Sequence, residues 1–177
     1  MFRKLLNSEL GRISVDQFKE AGKTPVVLVL DNVRSQHNIG SAFRTCDAFR
    51  VGRICLCGIS ATPPTPEIHK AALGAEFSVD WEHCDTALEA VTKLREEGYT
   101  IVSVEQTENA TQLQDFRTEP GKRYALIFGN EVKGVAQEVA DASDLCLEIP
   151  QYGTKHSLNV SVSIGIVLWN IILNNVK

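Results

Sequence analysis

The chain has 177 residues, 44% of them hydrophobic and 23% charged, with a formal net charge of −4 and a sequence pI of about 5.6. That is enough chain for one domain with a real core, here expected to span 1–177 with a short N-terminal extension over 1–25. The acidic balance excludes a broadly basic nucleic-acid surface, so any RNA contact must rest on local positive charge or on a partner.

Ser14-Val15-Asp16-Gln17 reads as a capping box that opens a short helix, broken at Lys23-Thr24-Pro25. Val26 to Leu30 is a continuous apolar run, typical of a strand buried on both faces. After a polar loop, Ile39, Ala42, Phe43, Cys46 and Phe49 recur at helical spacing. Arg53 to Cys57 is a second strand, and the proline-rich stretch Gly58 to Pro66 is a loop. Glu67 to Leu73 predicts a helix stopped by Gly74, and Phe77 to Trp81 a weak strand. Asp85 to Glu97 predicts a helix with Ala87, Leu88, Val91 and Leu94 on its inner face. Thr100 to Val104, Tyr124 to Phe128 and Leu145 to Ile149 are further strands, with an irregular polar stretch over 105–121 and a short helix around Gln137 to Ala142. A helix apolar nearly all round follows from Ser157 and must be covered on more than one side. Strands alternating with helices predict an α/β fold: a mainly parallel open sheet flanked by helices, with ligand loops at the strand ends.

The five cysteines, Cys46, Cys55, Cys57, Cys84 and Cys146, form no C-x-x-C pair and read as buried reduced thiols without a metal. Met1 to Leu10 lacks the apolar core of a signal peptide. The C-terminal apolar stretch, interrupted at Asn170, falls short of the ~20 residues that cross a bilayer. Two sequons, at Asn109 and Asn159, are unsupported by any other sign of secretion, so a cytoplasmic protein is expected. No G-x-G-x-x-G and no P-loop follows a strand, which weighs against dinucleotide oxidoreductases, nucleotide hydrolases and Rossmann-type methyltransferases.

Three corners where a strand runs into a polar loop carry the chemistry. The first, Asp31 to Arg44, contains Asn38, Gly40 and Arg44; the second, Phe128 to Val135, contains Gly129, Asn130, Glu131 and Gly134. The third contains Ile149, Pro150, Gly153, Ser157, Leu158, Asn159, Val160 and Ser161. In this order, each after a predicted strand, they resemble the three motifs of the SpoU-type RNA 2′-O-ribose methyltransferases of the SPOUT superfamily, over about Val26 to Trp169.

The resemblance implies a C-terminal trefoil knot, S-adenosyl-L-methionine held by the knot loops, a tRNA or rRNA substrate and an obligate homodimer. It implies a cofactor site at Gly129, Ile149 and Leu158, with Val104, Glu105, Phe128, Asn130, Gly134, Gln151, Gly153 and Ser157 around them. Arg44 matches the catalytic arginine. A guanidinium keeps its proton up to a pKa above ~12, so using it as a general base is costly, although the resemblance implies such a role with the help of an RNA phosphate; holding that phosphate and stabilising the emerging alkoxide is the role preferred here. Asn38, Glu131, Ser157 and Asn159 complete the catalytic set, orienting loops and acceptor ribose, with Glu131 either orienting Arg44 or balancing the donor's charge. Taken singly, each of these residues has a plainer reading: a turn glycine, a core side chain, a helix cap, or a surface Arg44 paired with Asp47. His37, His69 and His156 are loop candidates for RNA contact. Gln151 stands where many family members have Met, which alters the edge of the cofactor slot. The reading from another class is a non-catalytic RNA-binding or cofactor-sensing module on the same fold.

Overall fold

The computed structural model describes residues 1–175. Its strands are β1 (Thr24–Asp31), β2 (Val51–Cys57), β3 (Asp80–Cys84), β4 (Tyr99–Val104), β5 (Thr111–Gln112), β6 (Arg123–Phe128) and β7 (Leu145–Glu148). They form one sheet in the order β3-β2-β1-β6-β4-β7-β5, and each pairing is parallel. The helices are α1 (Val15–Glu20), α2 (Gln36–Ala48), α3 (Pro66–Ala72), α4 (Ala75–Ser78), α5 (Ala87–Glu96), α6 (Gln137–Asp141) and α7 (Val160–Asn175).

Period-two alternation in the central strands divides the core. Val26, Leu28 and Leu30 of β1, with Leu126 and Phe128 of β6, face α2, α3 and α7. Val27 and Val29, with Ala125 and Ile127, face α5 and α6. Both faces are therefore covered, as an all-parallel sheet requires. Cys46, Cys55, Cys57 and Cys84 are buried free thiols, and burial pushes the first three well above the ordinary thiol range.

Local chemistry explains the boundaries. Ser14 and Gln17 form the reciprocal capping box of α1. Ser35 caps α2 by accepting the Asn38 amide. The segment expected as a weak strand, 77–81, instead splits into α4 and the start of β3. Its alternating pattern is strand-like, but Ser78 donates to Asp47 Oδ1 of α2 at 2.5 Å and also to the Ala75 carbonyl. That tertiary bond stabilises one helical turn that the pattern hides. α3 closes after Ala72 with Leu73 as its C-cap, left-handed at φ 53°, one residue before the expected glycine stop. On α5 the inner face is Ala87, Ala90, Val91 and Leu94, while Leu88 is turned outward. The stretch 105–121 is mostly irregular but contributes β5 at the sheet edge.

α7 begins at Val160 rather than at Ser157, because Asn159 Oδ1 accepts the Ser161 amide at 2.9 Å and fixes the first turn there. One side of α7, through Ile164, Val167, Leu168 and Ile171, is fully buried. Phe49 and Trp169 rings meet at 6.2 Å where α7 lies along α2. Its other side leaves Val162, Ile166, Trp169 and Leu173 exposed. No helix among the described residues is long and apolar enough to cross a membrane.

α2 and α3 approach so closely at Gly40 that a Cβ there would lie 2.5 Å from the Ile68 carbonyl oxygen and 2.6 Å from Ala71 Cβ. Gly40→Ala must therefore push backbone apart and should cost about 1–3 kcal/mol of stability, by the usual scale of overpacking. Urea unfolding measures it, and an unchanged midpoint would mean that the helices separate freely.

Candidate functional site

The C-terminal ends of β4, β6 and β7 open into a cavity of about 470 Å³, well within the range of small-molecule sites. Val104 and Glu105 border it after β4; Phe128, Gly129, Asn130, Glu131 and Gly134 after β6; Ile149, Gln151, Ser157, Leu158 and Asn159 after β7. Phe128 keeps its side chain in the core, whereas Leu158 is 38% exposed. Gly153 does not line the cavity and has nothing within 4 Å of its would-be Cβ.

A chain of hydrogen bonds ties the three loops together. Glu131 accepts from the backbone amides of Arg34 and Ser35, both at 3.0 Å, and from Asn38 Nδ2 at 3.1 Å. Asn38 Oδ1 in turn accepts from Asn159 Nδ2 at 3.2 Å. Asn130 adds a second tie, donating to the Asn32 carbonyl at 2.7 Å while its Oδ1 accepts the Val132 and Lys133 amides. Asn159 is thus a helix cap and a loop tie at once, and Asn38 lies inside α2, three residues past its cap.

Partial burial alone would raise the Glu131 pKa, but the two amides and Asn38 outweigh it and hold the carboxyl below its ordinary range. Within one subunit Glu131 makes no bond to Arg44; its bonds anchor the first-motif loop. Glu105 is likewise engaged by backbone, accepting from Gln106 N at 2.8 Å and Val135 N at 2.9 Å. The glycines of the second motif serve close packing of protein on protein. A Cβ at Gly129 would overlap Gly134 and Val135, and one at Gly134, where φ is +70°, would overlap Glu105.

Arg44 stands apart. It is exposed on α2 and lines a different cleft, with no bond to Asp47. Sequence reasoning also missed Gln106 and Lys133 as neighbours of the cavity; Gln106 donates to the His156 carbonyl at 2.7 Å and closes one rim. Each lies one or two residues beyond a motif position, which is the only signal they carry. His156 borders the cavity, His37 is exposed on α2, and His69 is paired with Glu76 elsewhere. No group of three or more His, Cys, Asp or Glu residues among the described ones is placed to hold a metal ion.

Comparison with known proteins adds the relatives. The profile of the SpoU rRNA Methylase family matches residues 25–169. A tRNA (guanosine(18)-2′-O)-methyltransferase from Aquifex aeolicus is 30% identical over 151 residues, covering 85% of this chain and 70% of that one. The crystal structure of the A. aeolicus TrmH/SpoU tRNA modifying enzyme superposes with a TM-score of 0.76 at 26% identity, over 88% of this chain and 79% of that one. An AdoMet-bound rRNA methyltransferase from Sinorhizobium meliloti gives 0.78 at 25% identity, over 86% and 58%. The chain spans between 60% and 70% of the length of the curated relatives it matches.

Because the Glu131 pKa is depressed on folding, its bonds contribute stability that is present above the unfolded pKa and is lost as pH falls through the folded one. The Arg34 and Ser35 amide resonances should therefore titrate together, with a midpoint below the ordinary glutamate value of ~4.3. Glu131→Gln should abolish that titration. Independent midpoints for the two amides, or a midpoint at the ordinary value, would separate the loop from the carboxylate.

Proposed function

The chain belongs to the SpoU rRNA Methylase family, and from that premise we propose that it transfers a methyl group from S-adenosyl-L-methionine to a ribose 2′-hydroxyl of tRNA or rRNA. The observation that carries the reading is the convergence of all three motif loops on one cavity, locked by the Glu131–Asn38–Asn159 chain. The residues present suit the donor. Ile149 and Leu158 offer apolar walls, and two carboxylates, Glu105 and Glu131, against Lys133 favour a positively charged ligand.

S-adenosyl-L-methionine, when bound, supplies an activated methyl group. The chain's own residues then position and activate the acceptor. Arg44, always charged and carrying a planar fork of donors, holds the phosphate next to the target ribose and stabilises the alkoxide as the hydroxyl loses its proton. Ser157 and Asn159, at the mouth of the cavity, orient the ribose. Asn38 and Glu131 act through the loops they tie.

Arg44 and the donor cavity lie on different clefts of one subunit, so the reaction needs a second subunit whose α2 reaches the first one's cavity. The bare stripe of α7, Val162, Ile166, Trp169 and Leu173, is the surface we assign to that homodimer. We assign the C-terminal segment the family's trefoil knot. The order β6-β4-β7 and the return of α7 onto α2 support it. A chain trace in which residues 149–160 pass outside the loops after β4 and β6 would overturn it.

Calorimetry should detect S-adenosyl-L-methionine binding to the purified protein. Arg44→Ala should lower single-turnover transfer to a substrate RNA by ~10²–10³, the usual cost of one such electrostatic group, while leaving cofactor affinity nearly intact. Loss of cofactor binding instead would show that donor and acceptor roles are divided wrongly among the motifs. Analytical ultracentrifugation should show a dimer at low micromolar concentration, and Trp169→Glu should shift it toward monomer. A wild-type monomer would sink the shared site.

A further inference from the structure

Arg44 shares its cleft with two guanidinium groups that belong to none of the three motifs. The cleft measures about 750 Å³ and runs between the segment Gly11–Val15, the outer end of α2 and the α3–α4 turn. Arg12 enters from the first, Arg44 and Arg50 from the second. All three are exposed, and among the described residues none has a hydrogen-bond or ion-pair partner for its side chain. Many cations elsewhere are paired, although Arg34, Lys70, Lys133 and Lys155 are also without a side-chain partner among the described residues. Arg53 and Lys93 meet Glu82, Arg95 meets Asp144, Lys122 meets Glu119, and Lys23 and Arg117 donate to backbone carbonyls. One carboxylate lines the cleft, Asp47, and its Oδ1 already accepts from Ser78. Three positive groups against one negative leave the cleft at +2 in a chain whose net charge is −4. Solvated repulsion among unpaired arginines is a cost that an anionic ligand removes.

A second cavity adjoins this cleft. It measures about 630 Å³ and is walled by Pro63, Pro64, Pro66, Ile68, Phe77 and Trp81. Phe77 lines both cavities and is 62% exposed, with Trp81 at 37%. Large aromatic faces left open beside unpaired arginines are the two components of a single-strand binding surface: cations follow the backbone and rings stack the bases. His69 is exposed at the same pocket, and behind it lies the buried carboxylate of Glu76, whose Oε2 has no hydrogen-bond partner. These polar groups suit the N–H edge of a base better than a purely apolar occupant.

We propose that the Arg12–Arg44–Arg50 cleft and the Phe77–Trp81 pocket together form a track for single-stranded RNA, holding phosphates at the arginines and an unpaired base against the two rings. The inference rests on the reading of the chain as an RNA methyltransferase and adds a recognition site outside its three motifs. Arg12 and Arg50 are positioning residues that fix the strand so that Arg44 meets the phosphate beside the target ribose. The pocket selects a flanking nucleotide that is free to leave its stack, which directs the enzyme to loops and ends rather than to duplex.

The test uses the full chain and two fluorescent RNA probes, a 12-nucleotide strand of mixed sequence and a 12-nucleotide strand lacking its bases, read by anisotropy across a salt series. Wild type should prefer the base-bearing strand. Arg12→Ala/Arg50→Ala should weaken binding of both strands and lower the log–log salt slope by about 1.4, at ~0.7 per single-strand phosphate contact. Arg12→Lys/Arg50→Lys should keep the slope, which separates lost charge from lost structure. Phe77→Ala should keep the slope yet remove most of the preference for the base-bearing strand, roughly tenfold for one stacked base. Calorimetric affinity for S-adenosyl-L-methionine should stay unchanged in every variant. If the double alanine variant keeps the wild-type slope, or Phe77→Ala keeps the base preference, the track is overturned while the methyltransferase reading stands. Variants that alter sedimentation and not RNA affinity would make the cleft a subunit contact and overturn it too. If wild type binds neither cofactor nor RNA, the functional reading itself fails first.

Discussion

Glu131 accepts bonds from residues 93 to 97 positions away in the chain, and through Asn38 it is joined to Asn159, which lies 121 positions from Asn38. A carboxylate that gathers two backbone amides and one side-chain amide has little freedom left. The carboxylate thereby ties the loop carrying it to the loop it binds. Backbone amides at a strand–helix corner would otherwise face water or a ligand; here they are taken up by a fixed negative charge. The bond set ties together the loops around the cavity at the strand ends.

The glycines obey a related constraint. Gly129 and Gly153 are the glycines expected to permit close backbone approach to a ligand; at Gly129 the space a Cβ would take is filled by Gly134 and Val135, at Gly134 by the Glu105 carboxylate, and at Gly153 it is open. Close approach of β6's loop to the end of β4 lets Glu105 bind the Val135 amide at 2.9 Å. A side chain at Gly129 or Gly134 would part these loops and widen the cavity, so their effect on any ligand runs through backbone packing. Gly40 does the same between α2 and α3, one turn before Arg44. Gly40, Gly129 and Gly134 thus set distances between elements, whereas Gly153 does not.

Much of this was legible in the sequence, and the reasons for the gaps are physical. Continuous apolar runs fixed β1, β2, β4 and β6 to within two residues, because a strand buried on both faces tolerates few polar side chains. The motif positions lining the cavity were readable because each follows such a strand. What pattern could not supply were contacts made across the chain. The turn of α4 depends on Ser78 reaching Asp47, Leu88 yields its inward place to Ala90, and the start of α7 depends on Asn159 capping with one oxygen while its amide ties to Asn38. Gly153, matched by likeness alone, lies outside the cavity, where nothing in local spacing would have excluded it.

The distribution of charge and apolar surface follows from the same architecture. α7 must bury Ile164, Val167, Leu168 and Ile171 against its own subunit, yet it carries Val162, Ile166, Trp169 and Leu173 on the opposite side. A helix apolar on two sides is stable in water only when both are covered, so the proposed dimer completes the fold as well as the active site. The distribution of charge is compatible with the proposed RNA substrate of an acidic chain. Most cations away from the site are spent on carboxylates or carbonyls, which leaves the net charge negative and discourages indiscriminate binding to nucleic acid. The unpaired arginines are instead concentrated along α2 and its neighbouring loop, the one helix that must face the partner's donor cavity if Arg44 is to act. If the proposed RNA track holds, attraction for a phosphate backbone would be greatest where the ribose has to be presented, so alignment and affinity would come from the same few side chains.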